Sequence, residues 1–186
     1  MFIAICALIS SAAAVFIAWD QGRVMRAQQH GEVYPVLQVE GRSSNSATYS
    51  EIGITILNSG VGPALIESVH LEIDGEEVTS LWDILSDYPT PSSDSSAGLA
   101  GRAIAPGEAT EAILLRWTRD EITPQQIAQV AVDSQDWILK ICYCSVFRRC
   151  WQTSRIGSGR AERVDSCPIE NTDIFALFGS RGTLER

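Results

Sequence analysis

Histidine is nearly missing from this chain: 186 residues contain only His30 and His70. A metal centre or general-base site built from clustered imidazoles has almost no material here. Cations are also scarce, 14 Lys+Arg against 23 Asp+Glu, for a net charge of −9. A surface of that sign gains nothing from counterion release on a phosphate backbone, so no nucleic-acid partner is expected. Phosphate-binding loops and dinucleotide fingerprints do not occur, and Gly157-Ser158-Gly159 lacks the spacing of a nucleophile elbow. The acid pairs Glu76-Glu77 and Asp120-Glu121 are sequence neighbours, the pattern of solvated turns rather than of facing catalytic carboxylates. No catalytic, cofactor-binding or metal-ligating residue is assigned, no cofactor is expected, and the balance is against an enzyme.

What is present fits a folded chain. Hydrophobic residues make up 45% and charged residues 20%, ordinary values for a globular domain. Setting aside the first nineteen residues leaves 167, enough for one domain; a domain of about 150 residues buries about 68–70% of its unfolded surface and needs no disulfide or metal to fold. No internal repeat is visible.

From Phe2 to Trp19 the chain reads FIAICALISSAAAVFIAW, without charge or proline. At 1.5 Å per residue it is long enough to span a hydrocarbon core of ~30 Å. Residues 1–19 are therefore expected to be a single-pass anchor helix in a lipid bilayer, with Trp19 at the interface and a juxtamembrane segment at 20–32. A cleaved signal peptide competes, because Ser10–Ala14 offers small residues for cleavage, but no basic stretch precedes the apolar run and the run continues past that point. Arg23 and Arg26 follow the helix, and a literal positive-inside count places the domain in the cytoplasm. The cysteines argue for a periplasmic or extracellular domain.

Residues 33–167 read as an antiparallel β-sandwich with one or two short helices, a mainly β fold. Val33–Glu40 is a first strand, with Pro35 suited to its start or to an edge. Ser50–Leu57 places Ile52, Ile54 and Ile56 on one face, then ends in the turn cluster Asn58-Ser59-Gly60-Val61-Gly62-Pro63, where glycine supplies freedom for positive φ. Ala64–Ile73 sends Leu65, Val69, Leu71 and Ile73 inward and Ser68, His70 and Glu72 outward, and Asp74-Gly75 makes a tight turn. Ser80–Leu85 reads as a helical turn and DYPTPSSDSSAGLAGR as a mobile loop. Ala109–Trp117 is a strand with Ile113 and Leu115 inward. Thr123-Pro124 opens a short helix through Val130. Trp137–Val146 pairs with Cys150–Ile156 as a last hairpin, and a tail occupies 168–186, with Ile174, Phe175, Leu177 and Phe178 as an apolar spot.

The run ITILNSGVGPALIESVHLEIDG and the later AIAPGE resemble the turn signatures of bacterial immunoglobulin-like, cell-adhesion-type β-sandwich modules. With the anchor helix and YCSVFRRCW, the chain is similar to a set of uncharacterised single-pass bacterial membrane proteins. The resemblance implies an immunoglobulin-like fold at the inner membrane; its motifs are turn signatures and bring no catalytic residues with them.

Cys6 lies in the apolar run as a small hydrophobe; Cys142, Cys144, Cys150 and Cys167 form an even set. Two positions apart on a strand, Cys142 and Cys144 stand about 6.6 Å from each other, a poor separation for a mutual bond. Cys150 opens the return strand, which suggests Cys144–Cys150 and leaves Cys142–Cys167 as the second pair. A four-thiolate zinc site fits Cys-x-Cys on a strand poorly, and buried reduced thiols are the third reading. Arg148, Arg149, Arg155, Arg160 and Arg163 gather in sixteen residues opposed only by Glu162; they suit an anionic surface, either lipid headgroups or an acidic partner, or are simply a solvated face. The function expected is a membrane-anchored binding or scaffold module for an unidentified protein partner, with thiol–disulfide or metal chemistry at the four cysteines as the alternative.

Overall fold

The computed structural model describes residues 2–31, 33–153 and 160–181. Its first element, α1 (Phe2–Gly31), does not stop at Trp19. No proline interrupts the polar stretch that follows, so the helix runs on to a glycine, and residues 2–31, on both sides of the boundary expected at Trp19, form one element. Val15, Phe16, Ile17 and Trp19 are all more than half exposed. Among the described residues no helix is both long and apolar enough to cross a membrane; the side chains of 2–4 and 6–9, part of the apolar run, are outside that description.

The remainder is mainly β, in two antiparallel sheets with few short helices. One sheet has the order β1 (Leu37–Asn45), β2 (Tyr49–Asn58), β7 (Ala109–Thr118), β5 (Ser93–Ser96). The other runs β10 (Glu162–Val164), β9 (Cys150–Gln152), β8 (Ile138–Cys144), β3 (Ala64–Ile73), β4 (Glu76–Glu77), with β6 (Ala103–Ile104) pairing to β3. Both sheets contribute to a single hydrophobic cluster that includes Val39, Ile56 and Trp117 from the first and Ile66, Leu71, Ile141 and Tyr143 from the second.

The alternation in β2 holds, with Ile54 and Ile56 buried. That in β3 is corrected. A bulge between Ile66 and Ser68 shifts the register against β8, so Ile66 rather than Leu65 enters the core at the start of the strand while Val69 and Leu71 keep their expected places. The turn at Asp74-Gly75 has positive φ at both residues, 54° and 83°, the geometry of a two-residue primed hairpin.

Gly60 and Gly62 serve a purpose other than the one expected. A Cβ on Gly60 would lie 2.4 Å from the Tyr34 carbonyl oxygen, and one on Gly62 2.3 Å from the Val33 backbone. Close passage of the chain entering β1 requires glycine at these two positions. Asn58 closes the same corner: its Oδ1 accepts from Val36 N at 3.2 Å and Gly60 N at 3.0 Å, and its Nδ2 donates to the carbonyls of Gly62 at 2.8 Å and Ile104 at 2.9 Å.

Four short elements cover the sheets' ends and edges. Helix α2 (Leu81–Leu85) buries Leu81 and Leu85. Helix α3 (Pro124–Asp133) starts with a capping box between Thr123 and Gln126 and buries Ile127 and Val130. The segment read as a mobile loop holds β5, a ladder with β7, and the fully buried Leu99. Its serines made it look unanchored, yet backbone pairing needs no apolar side chain, and Asp173 fixes the rest by accepting from the amides of Leu99 and Ala100, both at 2.6 Å. The C-terminal stretch belongs to the same body: α4 (Ile174–Arg181) buries Ile174, Phe175 and Phe178, and Phe178 stacks on Trp82 at 4.2 Å between centroids.

Candidate functional site: four sulfurs beneath a C-terminal strap

In β8, Leu139, Ile141 and Tyr143 face the core, so Cys142 and Cys144 project from the opposite face of the sheet. There they meet their partners. Cys144 stands directly opposite Cys150 and is bonded to it, with 4.0 Å between Cα atoms; Cys142 is bonded to Cys167, with 5.6 Å between Cα atoms. These are the pairs suggested by the sequence spacing. The two disulfides touch: Cys144 Sγ lies 3.8 Å from Cys167 Sγ, and the sulfurs of Cys144, Cys150 and Cys167 all lie within 4.8 Å of one another. Cys142, Cys144 and Cys150 are buried and Cys167 is half-buried.

The segment carrying Cys167 lies as a strap over this outer face. Glu170 N donates to the Glu67 carbonyl at 2.9 Å. His70 bridges two carboxylates, Nδ1 to Glu77 at 2.7 Å and Nε2 to Glu170 at 3.1 Å, so it ties β4 and the strap to β3. Beneath the strap is Ser68, opposite Cys142 in the β3–β8 register. The residue, expected to point outward, is 1% exposed, and its hydroxyl has no hydrogen-bond partner among the described residues. Sequence periodicity placed Ser68 correctly away from the core and had no way to show that a segment about a hundred positions later would cover it.

In the bonded state none of the four sulfurs is a thiolate, and a soft metal ion has no ligand here. Were the bonds opened by reduction with the backbone unchanged, the thiols of Cys144, Cys150 and Cys167 would lie close together. The chemistry available is therefore thiol–disulfide exchange, with metal binding conditional on it.

Four of the five arginines lie among the described residues. Arg148 and Arg149 sit in the β8–β9 turn, where Arg148 N donates to the Ser145 carbonyl at 2.9 Å, and Arg163 lies on β10 opposite Trp151. Arg148, Arg160 and Arg163 are exposed; Arg155 is outside the described residues. Arg148 has φ +57°, a left-handed conformation that favours glycine. Of the two histidines, the side chain of His30 is not among those described.

Two clusters were not found from the sequence. Glu51, 6% exposed, accepts from Arg42 Nη2 at 2.9 Å and Arg116 Nη2 at 3.0 Å, while Arg116 lies over the Tyr49 ring at 4.6 Å. Only the register of β1, β2 and β7 brings these residues together. A cavity of about 190 Å³ lies among Ile54, Leu81, Val130, Leu139 and Phe175. Its walls are mainly aliphatic and aromatic, with Arg42, Ser43 and Ser134 also on the lining. At the other end of β8, burial pushes the Tyr143 phenol up to about 12, while its oxygen accepts from Leu37 N at 3.5 Å. Tyr88 is raised to about 12 chiefly by its hydrogen bond to Asp133. The chain matches no family model, no curated protein and no solved structure.

Proposed function

We propose that this chain is a single-pass, membrane-anchored β-sandwich of the immunoglobulin-like class that binds or scaffolds a protein partner and performs no chemistry of its own in that role. The observation that carries the reading is the outward display of Val15, Phe16, Ile17 and Trp19 on α1, inside a sequence run of eighteen uncharged residues. Apolar side chains in that density call for a lipid or protein environment. The strand orders β1-β2-β7-β5 and β9-β8-β3-β4 support the immunoglobulin-like assignment, since they reproduce the ABED and GFC arrangement with a C′ strand. The disulfides depart from that class: both hold one sheet and its strap, and neither joins the two sheets.

The anchor reading also decides what the arginines face. The polar part of α1, residues 20–31, adds about 18 Å of helix beyond the bilayer surface if it stands upright. Physiological salt screens charges over ~8 Å, so the Arg148-Arg149 turn is better suited to an acidic protein partner than to the headgroups beneath it. The domain is assigned to the periplasmic or extracellular side of the inner membrane on the strength of its two disulfides, which persist in oxidising compartments.

One experiment tests anchoring and side together. Membranes from cells making the full chain are washed with alkaline carbonate, and the retained protein is alkylated before and after reduction. With five cysteines in the chain and four of them bridged, the expected result is retention with one reactive thiol before reduction and five after. Release by carbonate removes the anchor, and five free thiols at the outset return the domain to the cytoplasm, the side favoured by Arg23 and Arg26. A second reading, thiol–disulfide chemistry at Cys142, Cys144, Cys150 and Cys167, is favoured by the 3.8 Å approach of the two disulfides.

A further inference from the structure

We propose that the two disulfides form a two-electron relay that carries reducing equivalents from the strap to the β8–β9 hairpin; this rests on the second reading above and is independent of the membrane anchor. Two observations support it. Sulfurs of separate disulfides lie in contact, Cys144 Sγ to Cys167 Sγ at 3.8 Å. A buried hydroxyl without a hydrogen-bond partner among the described residues, that of Ser68, stands opposite Cys142. Neither feature is needed by a passive staple. Two disulfides stabilise equally well when apart, and a buried unsatisfied hydroxyl is unfavourable in any fold that could hold alanine there.

The reductant is an external dithiol. Cys167 is the least buried of the four residues, and it is the point of entry. One thiolate of the dithiol attacks Cys167 Sγ, the Cys142–Cys167 bond breaks, and its electron pair leaves on Cys142 as a thiolate. Ser68, opposite Cys142 in the β3–β8 register and making no hydrogen bond to it while the disulfide is closed, is the hydroxyl placed to turn toward that thiolate once it forms, and a stabilised thiolate is the better leaving group. The second thiol of the reductant then attacks its own mixed disulfide, releasing oxidised reductant and the Cys167 thiolate. That thiolate is already beside Cys144. Its attack on Cys144 Sγ forms Cys144–Cys167 and breaks Cys144–Cys150, and the electron pair leaves on Cys150, which takes a proton. The sum is one dithiol oxidised and one protein disulfide reduced, with thiols at Cys142 and Cys150 and the remaining bond moved to Cys144–Cys167.

The relay makes the hairpin responsive to a reductant that meets only the strap. Cys150 begins β9, the strand that follows the Arg148-Arg149 turn, so a reducing event at Cys167 loosens the covalent closure of that turn. The partner implied is a dithiol reductase able to reach the face that carries residues 165–168.

The test uses the full chain, folded in detergent, with one equivalent of reduced dithiothreitol, acid quenching and alkylation. Chymotrypsin cuts after Tyr143 and Phe147 and so separates Cys142, Cys144 and Cys150 for mapping. The expected product is a Cys144–Cys167 cross-link with Cys142 and Cys150 alkylated. Alkylation of Cys142 and Cys167 with Cys144–Cys150 intact overturns the relay while leaving exchange at the strap. No opening before global unfolding overturns both the relay and the reading on which it rests. Ser68→Ala separates a redox role from a structural one. It is expected to slow the first opening about tenfold, the size of one hydrogen bond to a charged group, while leaving the melting temperature unchanged or raised. An unchanged rate removes Ser68 from the mechanism, and Ser68→Thr, which keeps the hydroxyl, is expected to restore most of the rate.

Discussion

Asn58 Nδ2 donates to the carbonyl of Ile104, 46 residues further along, at 2.9 Å. One amide thereby joins the end of β2 to the strand that edges β3, while its oxygen holds the chain entering β1. The residue is fully buried; its bonds to the Gly62 and Ile104 carbonyls are buried and those from Val36 N and Gly60 N part-buried. Asn58→Ala strands two carbonyls and two amides at once, and it is expected to cost about 3 kcal/mol, the upper range for buried polar groups left unpaired. Asn58→Asp keeps the acceptor but loses both donors, and puts a carboxylate beside two carbonyls. Chemical denaturation should show that it does not recover the loss.

Glycine substitutions distinguish two reasons for glycine. At Gly62 the obstacle is the Val33 backbone, 2.3 Å from where a Cβ would stand; backbone cannot step aside, and Gly62→Ala is expected to prevent the β1 entry from docking and to lower stability by more than 3 kcal/mol. At Gly75 a Cβ meets nothing within 4 Å, and only the φ of +83° opposes it. Gly75→Ala should cost about 1 kcal/mol. Similar losses in the two variants, measured by urea unfolding, contradict this distinction.

Asp173 is a third junction. It is 4% exposed, accepts from Leu99 N and Ala100 N, and at its other oxygen accepts from Phe175 N at 2.9 Å and Ala176 N at 3.0 Å. It thus caps α4 and pins the loop after β5 with one carboxylate. Asp173→Ala is expected to cost 2–4 kcal/mol, and Asp173→Asn less, because one amide oxygen still serves one side. Hydrogen exchange should report the loss locally, with protection falling at Leu99 and Ala100 together with the first turn of α4.

How far these junctions were legible in the sequence follows from their range. The isoleucines of β2, the Asp74-Gly75 turn and the Thr123-Pro124 helix start depend on neighbours in sequence, and each appears where periodicity and turn chemistry put it. The cysteine pairing was within reach because Cys144 and Cys150 flank one hairpin. The phase of β3 was missed at a bulge, which breaks the period of two without a marker residue. The burial of Ser68 and Leu99 has a shared cause that no local pattern shows: what covers them comes from residues 165–178, and a one-dimensional pattern does not say which distant segment returns to lie over a strand. Gly60 and Gly62 were correctly read as turn residues but for the wrong cause, since a close approach of backbone is a tertiary fact.

The phenol of Tyr143 gives the fold an alkaline limit. Burial raises its pKa to about 12 from an ordinary value of 10. Below pH 10 both native and unfolded chains hold the proton, and the stability is complete. Between pH 10 and 12 the unfolded chain releases it and the native chain does not, so stability falls as pH rises across that window, by on the order of 2 kcal/mol at its upper end. Tyr143→Phe keeps the ring against Trp151 and removes the titrating group. Its unfolding free energy should start slightly lower at pH 8, where the Leu37 amide loses its acceptor, and should then decline less steeply than that of the parent between pH 10 and 12. Tyr88, raised by its bond to Asp133, titrates in the same range, so the comparison is made in a Tyr88→Phe background, where the remaining difference in slope belongs to Tyr143. Parallel slopes in the two chains would mean that the buried phenol is not what sets the alkaline limit.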